Sequence, residues 1–259
     1  MSKILIIAST HGHERIGLKI ISELQKLGID KNLLDFEIGN PKASEQNIPF
    51  VESDLNRSFP GKESGTYEEM RAFELSPKIK QAELVIDIHS TNTTDLSDKS
   101  ILIVTSYNEN TREIIDIIKP PKVLHMKYKG NNALISQAKI GIAFEYGKDT
   151  SIDVLNATLH DIANVFIHFK IIETNPYINA KQDIETEIFE VYDVFKKSFM
   201  GPYKLSNEII NFKLIKKGDL VCNTETNESI LTDEDFVPIL FGKNRYTEIL
   251  GFKARRMMR

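Results

Sequence analysis

Four side chains that can bind a metal ion or move a proton stand at the ends of short apolar runs. They are, in chain order, His11, Glu14, His89 and Glu145. Short apolar runs bounded by polar or Gly residues are typical of buried parallel strands, and open α/β sheets bind ligands outside the carboxyl ends of such strands. Two His and one Glu, with a second Glu nearby, are the residue types that hold a catalytic zinc ion beside a general base. Placement and chemistry therefore predict the same site.

The spacing of His11 and Glu14 supports this prediction. They are three residues apart, so both side chains can face one point if a helical turn begins there. An HxxE pattern alone occurs frequently by chance, and His89, directly after a buried-type strand, makes it more specific. The alternative is that His11 merely ends a strand and Glu14 merely begins a helix. His13 is expected to point away or to orient a neighbour.

Composition restricts the class of protein. The 259 residues suffice for one large domain or for a large domain with a small one. A net charge of −4 argues against nucleic acid as a main partner. No run reaches the ~20 apolar residues of a membrane span, and residues 1–9 are too short an apolar stretch for a secretory signal. Cys222 is the only cysteine, which excludes an intrachain disulfide. We expect a cytoplasmic protein without membrane or nucleic-acid partners.

Strand-type and helix-type patterns alternate through the first two thirds of the chain. This alternation predicts an α/β fold, a mostly parallel sheet covered by helices on both faces. Residues 42–67 are a long polar stretch with few strong signals, and loops of this length are usually functional or disordered. Near residue 175 the pattern changes to short β-type segments, among them IFEVYDVF, INFKLI and DLVCN. We expect an α/β catalytic domain at residues 1–175 and a small β-rich domain at residues 176–259.

Several segments together resemble one known family. STHGHERIG at residues 9–17 is similar to the zinc-binding HGxE segment of the succinylglutamate desuccinylase/aspartoacylase family, a branch of the zinc carboxypeptidase fold. The resemblance continues in order through GNPKA, DLNR, YEEMRAFE, DIH and AFEYG. Order and spacing hold over roughly residues 3–150, which is more specific than any single motif. The β-rich tail resembles the family's C-terminal domain only in composition and near Tyr246.

The resemblance implies a zinc site and a base. His11, Glu14 and His89 would bind one Zn²⁺ per chain and leave a position for water. Glu145 would take a proton from that water and pass it to the leaving amine. Asp87 would support a ligand, or would instead be a buried partner for the backbone or for an arginine.

The resemblance also implies a substrate site. Asn56 and Arg57 would bind a substrate carboxylate, since a guanidinium matches a carboxylate bidentately; a surface ion pair is the alternative for Arg57. Tyr246 stands where related enzymes bring a tyrosine to the substrate, although an ordinary half-buried strand aromatic is equally compatible. Two family arginines are absent, because Pro49 and Ile135 occupy their positions. An oxyanion donor is therefore missing or comes from elsewhere.

These observations together predict a zinc-dependent amidohydrolase that removes an acyl group from a small, carboxylate-bearing N-acyl amino acid or a related amide. The first alternative is a metallocarboxypeptidase acting on short peptides with the same residues. The second is a zinc- or metabolite-binding protein with impaired turnover, against which the presence of Glu145 argues. The acyl group, the amino acid and the formation of a homo-oligomer are left open.

Overall fold

The computed structural model describes residues 3–91, 100–127, 132–177, 185–242 and 248–258. The chain forms two compact units, of which the first comprises Met1–Val123 and Lys129–Thr186 and the second Leu124–Tyr128 and Glu187–Arg259. The helices in the described ranges are α1 (Ile16–Gln25), α2 (Pro41–Gln46), α3 (Tyr67–Gln81), α4 (Glu109–Ile118) and α5 (Ile152–His168). The strands there are β1 (Ile4–Ala8), β2 (Leu34–Ile38), β3 (Leu84–His89), β4 (Ser100–Val104), β5 (Lys122–Met126), β6 (Ile140–Tyr146), β7 (Glu187–Lys196), β8 (Tyr203–Leu205), β9 (Leu220–Thr224), β10 (Ser229–Leu231), β11 (Val237–Ile239) and β12 (Ile249–Met257).

The first unit is built on a mostly parallel sheet with helices on both faces, as the alternating pattern predicts. Its strand order is β4-β6-β3-β1-β2, and only the β4–β6 pair is antiparallel in this group. Leu5 and Val85 pack with residues of α3 in one buried cluster. On the opposite face Gly17 of α1 lies so close to Ala8 that an added Cβ would be 2.7 Å from the Ala8 Cβ. The predicted fold class is confirmed.

The register of the central strands brings the predicted site residues together. In the parallel β1–β3 pair Ile7 is opposite Asp87, and in the parallel β3–β6 pair His89 is opposite Glu145. Because side chains alternate along a strand, Asp87 and His89 point to the same face. Register partners in neighbouring strands share that face, so Glu145 points there too.

Two structured turns lie in the polar stretch at residues 42–67, where the sequence has few helix signals. Helix α2 begins at Asn40, whose side chain accepts a hydrogen bond from the Ala43 N–H, and Pro41 stands in its first turn. A 3₁₀ turn at Leu55–Arg57 follows. Both turns are short and polar, so they carry no apolar periodicity that a helix prediction could use; capping residues begin them instead.

Strands β7 to β12 of the second unit form antiparallel pairs. Its strands β11, β12 and β7 are neighbours in that order, and β8, β9 and β10 form a separate small sheet. Phe195, Phe236 and Phe241 belong to its core. The strand predicted for INFKLI is wrong: residues 210–214 form a turn, in which Phe212 has a φ of 71°, and only Ile215 makes an isolated bridge.

A search of the described residues for a helix long and apolar enough to cross a membrane finds none.

Candidate functional site

His11, Glu14 and His89 converge at the carboxyl ends of β1 and β3. One potential ligand atom from each residue lies within 4.8 Å of the others. The two carboxylate oxygens of Glu14 are divided between the histidines: Oε1 is 3.0 Å from Nδ1 of His11, and Oε2 is 2.9 Å from Nδ1 of His89. Glu14 is 7% exposed and His89 only 2%. The structure therefore brings together the three predicted metal ligands in a largely buried cluster.

The outer nitrogen of each histidine faces a second carboxylate. Nε2 of His89 is 2.8 Å from Asp87, two residues earlier on the same strand. Nε2 of His11 is 3.2 Å from Asp54, which lies in a loop. The hydroxyl of Thr10 donates to the other oxygen of Asp87 at 2.7 Å. Such outer carboxylates fix the orientation and tautomer of histidine ligands.

The backbone after β1 turns sharply to present His11. Ser9 has a φ of 55°, a left-handed conformation that is uncommon for a residue with a side chain and is found often at functional sites. Gly12 packs directly on α2, and a Cβ there would lie 2.1 Å from the Ala43 carbonyl carbon and 2.3 Å from the Ser44 nitrogen. The glycine next to His11 is required by this close approach.

The electrostatics of the cluster favour positive charge at its centre. Burial alone would lower the pKa of His11, but hydrogen bonds with Asp54 and Glu14 outweigh it and raise the pKa to about 9. Burial likewise opposes the charging of His89, and the carboxylates of Asp87 and Glu14 nevertheless raise its pKa well above 6.5. Burial would raise the pKa of Glu14, but the adjacent charge of His89 and the contacts with His11 bring it below its usual range.

Glu145 stands beside this cluster near the end of β6, where Thr91 binds its carboxylate and the neighbouring residues are themselves fixed. The hydroxyl of Thr91 donates to its Oε2 at 3.1 Å, and the Thr91 N–H donates to the Gly147 carbonyl at 2.7 Å. The next residue, Tyr146, is buried and donates from its hydroxyl to Asp161 of α5 at 2.8 Å. Removal from water, the largest effect, raises the pKa of Glu145 above 4.5. A carboxyl group with a raised pKa is suited to exchanging protons.

The donor set of the cluster fits a zinc ion. With each Nε2 donating a hydrogen bond to its outer carboxylate, each Nδ1, on losing its own proton, would be available to bind a cation shared with Glu14. Two imidazoles and one carboxylate are a common protein ligand set of catalytic zinc, which keeps a further position for water or substrate. The outer carboxylates supply negative charge that compensates a divalent cation.

The predicted substrate residues lie immediately after Asp54. Asn56 accepts a hydrogen bond from the Leu134 N–H through its side-chain oxygen at 2.9 Å. Its amide NH2 is therefore the group that could reach a ligand. Arg57 is exposed, and its guanidinium donates to the Asn56 carbonyl at 2.8 Å. Tyr246 lies outside the described residues. Pro49, at the position of a family arginine, accepts a hydrogen bond through its carbonyl from the backbone next to His11 at 3.2 Å.

Three acidic residues organise the site without having been assigned such roles from the sequence. Asp54 faces His11, Glu68 binds the loop that precedes Asp54, and Asp149 accepts the N–H groups of Arg15 and Ile16 directly after Glu14. Their partners are distant in the chain, so no local spacing indicates the pairing. In the sequence, two features point to these residues. Asp54 begins the DLNR segment, and Glu68 lies in the first turn of a helical pattern.

Comparison with known proteins gives a family match over most of the first unit. Residues 1–168 match the family model of the succinylglutamate desuccinylase/aspartoacylase catalytic domain. A probable aspartoacylase from Nostoc sp. is 28% identical over 180 residues, which are 61% of this chain and 59% of that protein. An N-acyl-aromatic-L-amino acid amidohydrolase (carboxylate-forming) from Xenopus tropicalis is 32% identical over 109 residues, 35% of this chain and 34% of that one. The matched part thus spans between about a third and three fifths of these relatives.

The fold has close counterparts among solved structures. Murine aminoacylase 3 superposes with a TM-score of 0.76 and 18% identity, covering 98% of this chain and 95% of that one. At such low identity the likeness concerns the fold, whereas the family match over residues 1–168 concerns the sequence itself. The chain belongs to the succinylglutamate desuccinylase/aspartoacylase family.

Proposed function

We propose that this protein is a zinc-dependent amidohydrolase that removes the acyl group from a small N-acyl amino acid bearing a free carboxylate. The observation that carries the proposal is the convergence of His11, Glu14 and His89, each histidine backed by a carboxylate, beside the proton-exchanging group of Glu145. Family membership and the names of the relatives from Nostoc sp. and Xenopus tropicalis support it.

Three residues would hold the metal. His11 and His89 would bind one zinc ion through Nδ1, and Glu14 through its carboxylate. When bound, zinc supplies Lewis acidity next to the scissile carbonyl. Asp87 and Asp54 would hold the two imidazoles in orientation through their Nε2 protons.

Glu145 would act as the general base and then as the general acid. Its Oε2 accepts the Thr91 hydroxyl, so Oε1 is the oxygen assigned to take a proton from the attacking water. The same carboxyl would return that proton to the nitrogen of the departing amino acid. Its raised pKa helps because a base that is too weak would take the proton poorly, and one that is too strong would not release it.

Substrate recognition would rest on Asn56 and Arg57. The exposed guanidinium of Arg57 can rotate from the Asn56 carbonyl to a substrate carboxylate, with which it forms two parallel hydrogen bonds. Tyr246 is proposed to add a hydroxyl contact. With Pro49 in place of an arginine, stabilisation of the reacting carbonyl oxygen would depend more on the metal than in relatives that have the arginine.

Metal analysis followed by substrate profiling tests this function. Protein purified without added metal should contain about one zinc per chain, the number a three-ligand site binds. A panel of N-acetyl, N-succinyl and N-aroyl amino acids should release free amine, detected colorimetrically. Preferential release of C-terminal residues from short peptides would identify a carboxypeptidase instead. Zinc-loaded protein that hydrolyses no member of either panel would refute the proposal.

A further inference from the structure

Glu68, in the first turn of α3, is a fully buried carboxylate bound to a loop. It accepts hydrogen bonds from three successive backbone N–H groups, those of Val51 at 2.6 Å, Glu52 at 3.1 Å and Ser53 at 3.0 Å. The side-chain amide NH2 of Asn40 donates a fourth hydrogen bond to Glu68 at 3.0 Å. A carboxylate in a first helical turn is also favoured by the helix dipole. Glu68 therefore organises a segment that has no strand or helix of its own.

The charge of Glu68 is stabilised in place. Burial alone would raise its pKa, but the backbone N–H of Val51, the Asn40 amide and the remaining N–H donors outweigh this and lower the pKa below 4.5. Hydrogen bonds from N–H groups to an ionised carboxylate are roughly twice as strong as neutral ones. At neutral pH the Glu68 carboxylate is therefore ionised, and its four hydrogen bonds are charge-assisted.

The loop is bound to α3 along its length. The carboxylate of Glu52 accepts the Tyr67 N–H at 2.6 Å, and the hydroxyls of Ser53 and Thr66 lie 2.8 Å apart. In the first of these bonds the loop supplies the carboxylate and α3 the N–H group, the reverse of the arrangement at Glu68. Residues 51–53 and the start of α3 are thus joined from both sides.

This loop leads directly to one side of the candidate site. Residue 53 is followed by Asp54, which is 3.2 Å from Nε2 of His11 and accepts the Asn56 N–H at 2.8 Å. Arg57 ends the same turn. A displacement of residues 51–53 would therefore move both the carboxylate partner of His11 and the proposed substrate-binding pair.

The fourth hydrogen bond connects Glu68 to His11 by a second route. Asn40, which donates to Glu68, also accepts the Ala43 N–H at 3.2 Å and begins α2. The backbone of α2 in turn lies against Gly12, next to His11. Both segments that position His11 thus meet at the Glu68 carboxylate.

We propose that Glu68 is the positioning residue for the His11 side of the site. Its carboxylate holds residues 51–53, and through them sets Asp54 against His11 and places Asn56 and Arg57 for substrate. The proposal rests on the proposed function where it concerns substrate, and on geometry alone where it concerns His11. His89 is bound by Asp87 on its own strand and is connected to His11 only through Glu14, so it should depend on Glu68 less than His11 does.

The test compares Glu68→Gln with Glu69→Gln at neutral pH. Gln at position 68 keeps the size of the side chain but replaces one accepting oxygen with an amide NH2. This group is itself a donor and cannot accept from the N–H groups of the loop. Glu69 is the matched control, because its carboxylate serves the helix cap at the Thr66 N–H and an ion pair with Lys62, not the loop. In metal-free protein, Glu68→Gln should speed amide exchange at residues 51–53 about tenfold, the scale of one lost charge-assisted hydrogen bond, and Glu69→Gln should leave it unchanged.

Imidazole nitrogen NMR of the metal-free protein supplies the decisive contrast. Glu68→Gln should shift the His11 resonances clearly more than those of His89, which shares only Glu14 with His11. Unchanged His11 resonances, equal shifts of both histidines, or unchanged exchange at residues 51–53 would each overturn the proposal. If Glu68→Gln does not fold, Glu68→Asp, which keeps the charge but shortens the reach, should give the same contrast at smaller size.

A substrate assay extends the test. With the best substrate from the panel, Glu68→Gln should raise KM about tenfold and change kcat less than threefold, since one hydrogen-bonded contact is displaced rather than the reacting groups. A fall in kcat at constant KM would overturn the assignment to substrate positioning. An inactive wild-type protein would refute the proposed function alone, because the NMR and exchange comparisons need neither metal nor substrate.

Discussion

The two histidines of the candidate metal site have the same bonding pattern but are supported in different ways. His89 and its partner Asp87 are two residues apart on β3 and lie in contact at 2.8 Å. Each of the two side chains is only 1% exposed. His11 follows β1 in a loop, its partner Asp54 is 43 residues away, and the two side chains are 23% and 32% exposed. We call His89 with Asp87 the strand-supported pair, and His11 with Asp54 the loop-supported pair.

The difference separates the rigid and the adjustable parts of the site. Alternation along β3 orients both members of the strand-supported pair, and Thr10 and Glu14 bind them from the segment after β1. The loop-supported pair depends on residues 51–53, on α2 and on the buried Glu68. Chemistry that must not vary is expected to lie with the strands, and substrate recognition with the loop.

Removal of a ligand should have the largest effect and should distinguish the pairs. His89→Ala and His11→Ala should both abolish stoichiometric zinc binding, because two ligands are too few for a catalytic site. In the metal-free protein His89→Ala should also cost about 3 to 5 kcal/mol of unfolding free energy, since it leaves the buried carboxylate of Asp87 without its imidazole. His11→Ala should cost about 1 kcal/mol, because Asp54 is partly solvated.

Metal analysis and urea unfolding measure these two quantities. Full zinc retention by His89→Ala under mild chelation would exclude the site. Equal destabilisation by the two variants would remove the distinction between the pairs.

Glu145→Gln should test the strand-supported chemistry. We expect kcat to fall by about 10² to 10⁴, the usual contribution of a general acid–base group, with zinc content and melting temperature retained. Steady-state kinetics and metal analysis of the same preparation decide the outcome. Loss of zinc would make Glu145 a ligand, and an unchanged rate would remove it from the mechanism.

Neutralising the outer carboxylates should weaken zinc binding by unequal amounts. Such partners typically contribute about 10- to 100-fold to metal affinity. Asp87→Asn should lie at the upper end, since it also alters the contact with Thr10, and Asp54→Asn at the lower end. Competition with a chromophoric chelator gives both affinities, and the reverse order would contradict the proposed hierarchy.

Arg57→Ala should test recognition by the loop. We expect KM to rise about tenfold for substrates with a free carboxylate, the cost of losing a charge-assisted hydrogen bond, while the corresponding amides are almost unaffected. Arg57→Lys, which keeps the charge but not the planar geometry, should recover part of the loss. Equal losses on acids and amides would instead indicate that Arg57 stabilises the reacting carbonyl oxygen.

Acid should weaken the attachment of the loop to Glu68, and this is the smallest of the expected effects. The pKa of Glu68 is lowered below 4.5 in the folded protein, so its ionised form contributes stability above that pH. This contribution is lost as the pH falls through 4.5 toward the lowered value. The melting temperature of wild type should exceed that of Glu68→Gln by a constant amount above about pH 5 and approach it below about pH 4. A difference that does not change with pH would show that the charge of Glu68 is not involved.

The sequence predicts the strand-supported residues better than the loop. His89 and Glu145 follow apolar runs, and a parallel sheet places the ends of such runs together, so their meeting follows from local patterns. The contact of Asp54 with His11 and those of Glu68 with residues 51–53 join residues far apart in the chain. They depend on how a polar segment folds back on α3, which leaves no periodic signal. The turn at residues 210–214 escaped prediction for a related reason, because its apolar residues suggest a strand while Phe212 adopts a left-handed backbone.

The pairing of β3 with β6 has a consequence for how the candidate site can diversify. His89 and Glu145 are register partners in the β3–β6 pair. The distance between their Cα atoms is therefore set by the spacing of adjacent strands, about 4.8 Å, and exchanging side chains does not alter it. The segments around residues 47–66 are held in place by hydrogen bonds to the start of α3 and not by strand pairing. The loop can therefore vary without altering the His89–Glu145 register, provided that the contacts of Glu68 with residues 51–53 and of Asp54 with His11 are kept. Grafting this segment between relatives is a more promising route to altered specificity than redesigning the strands.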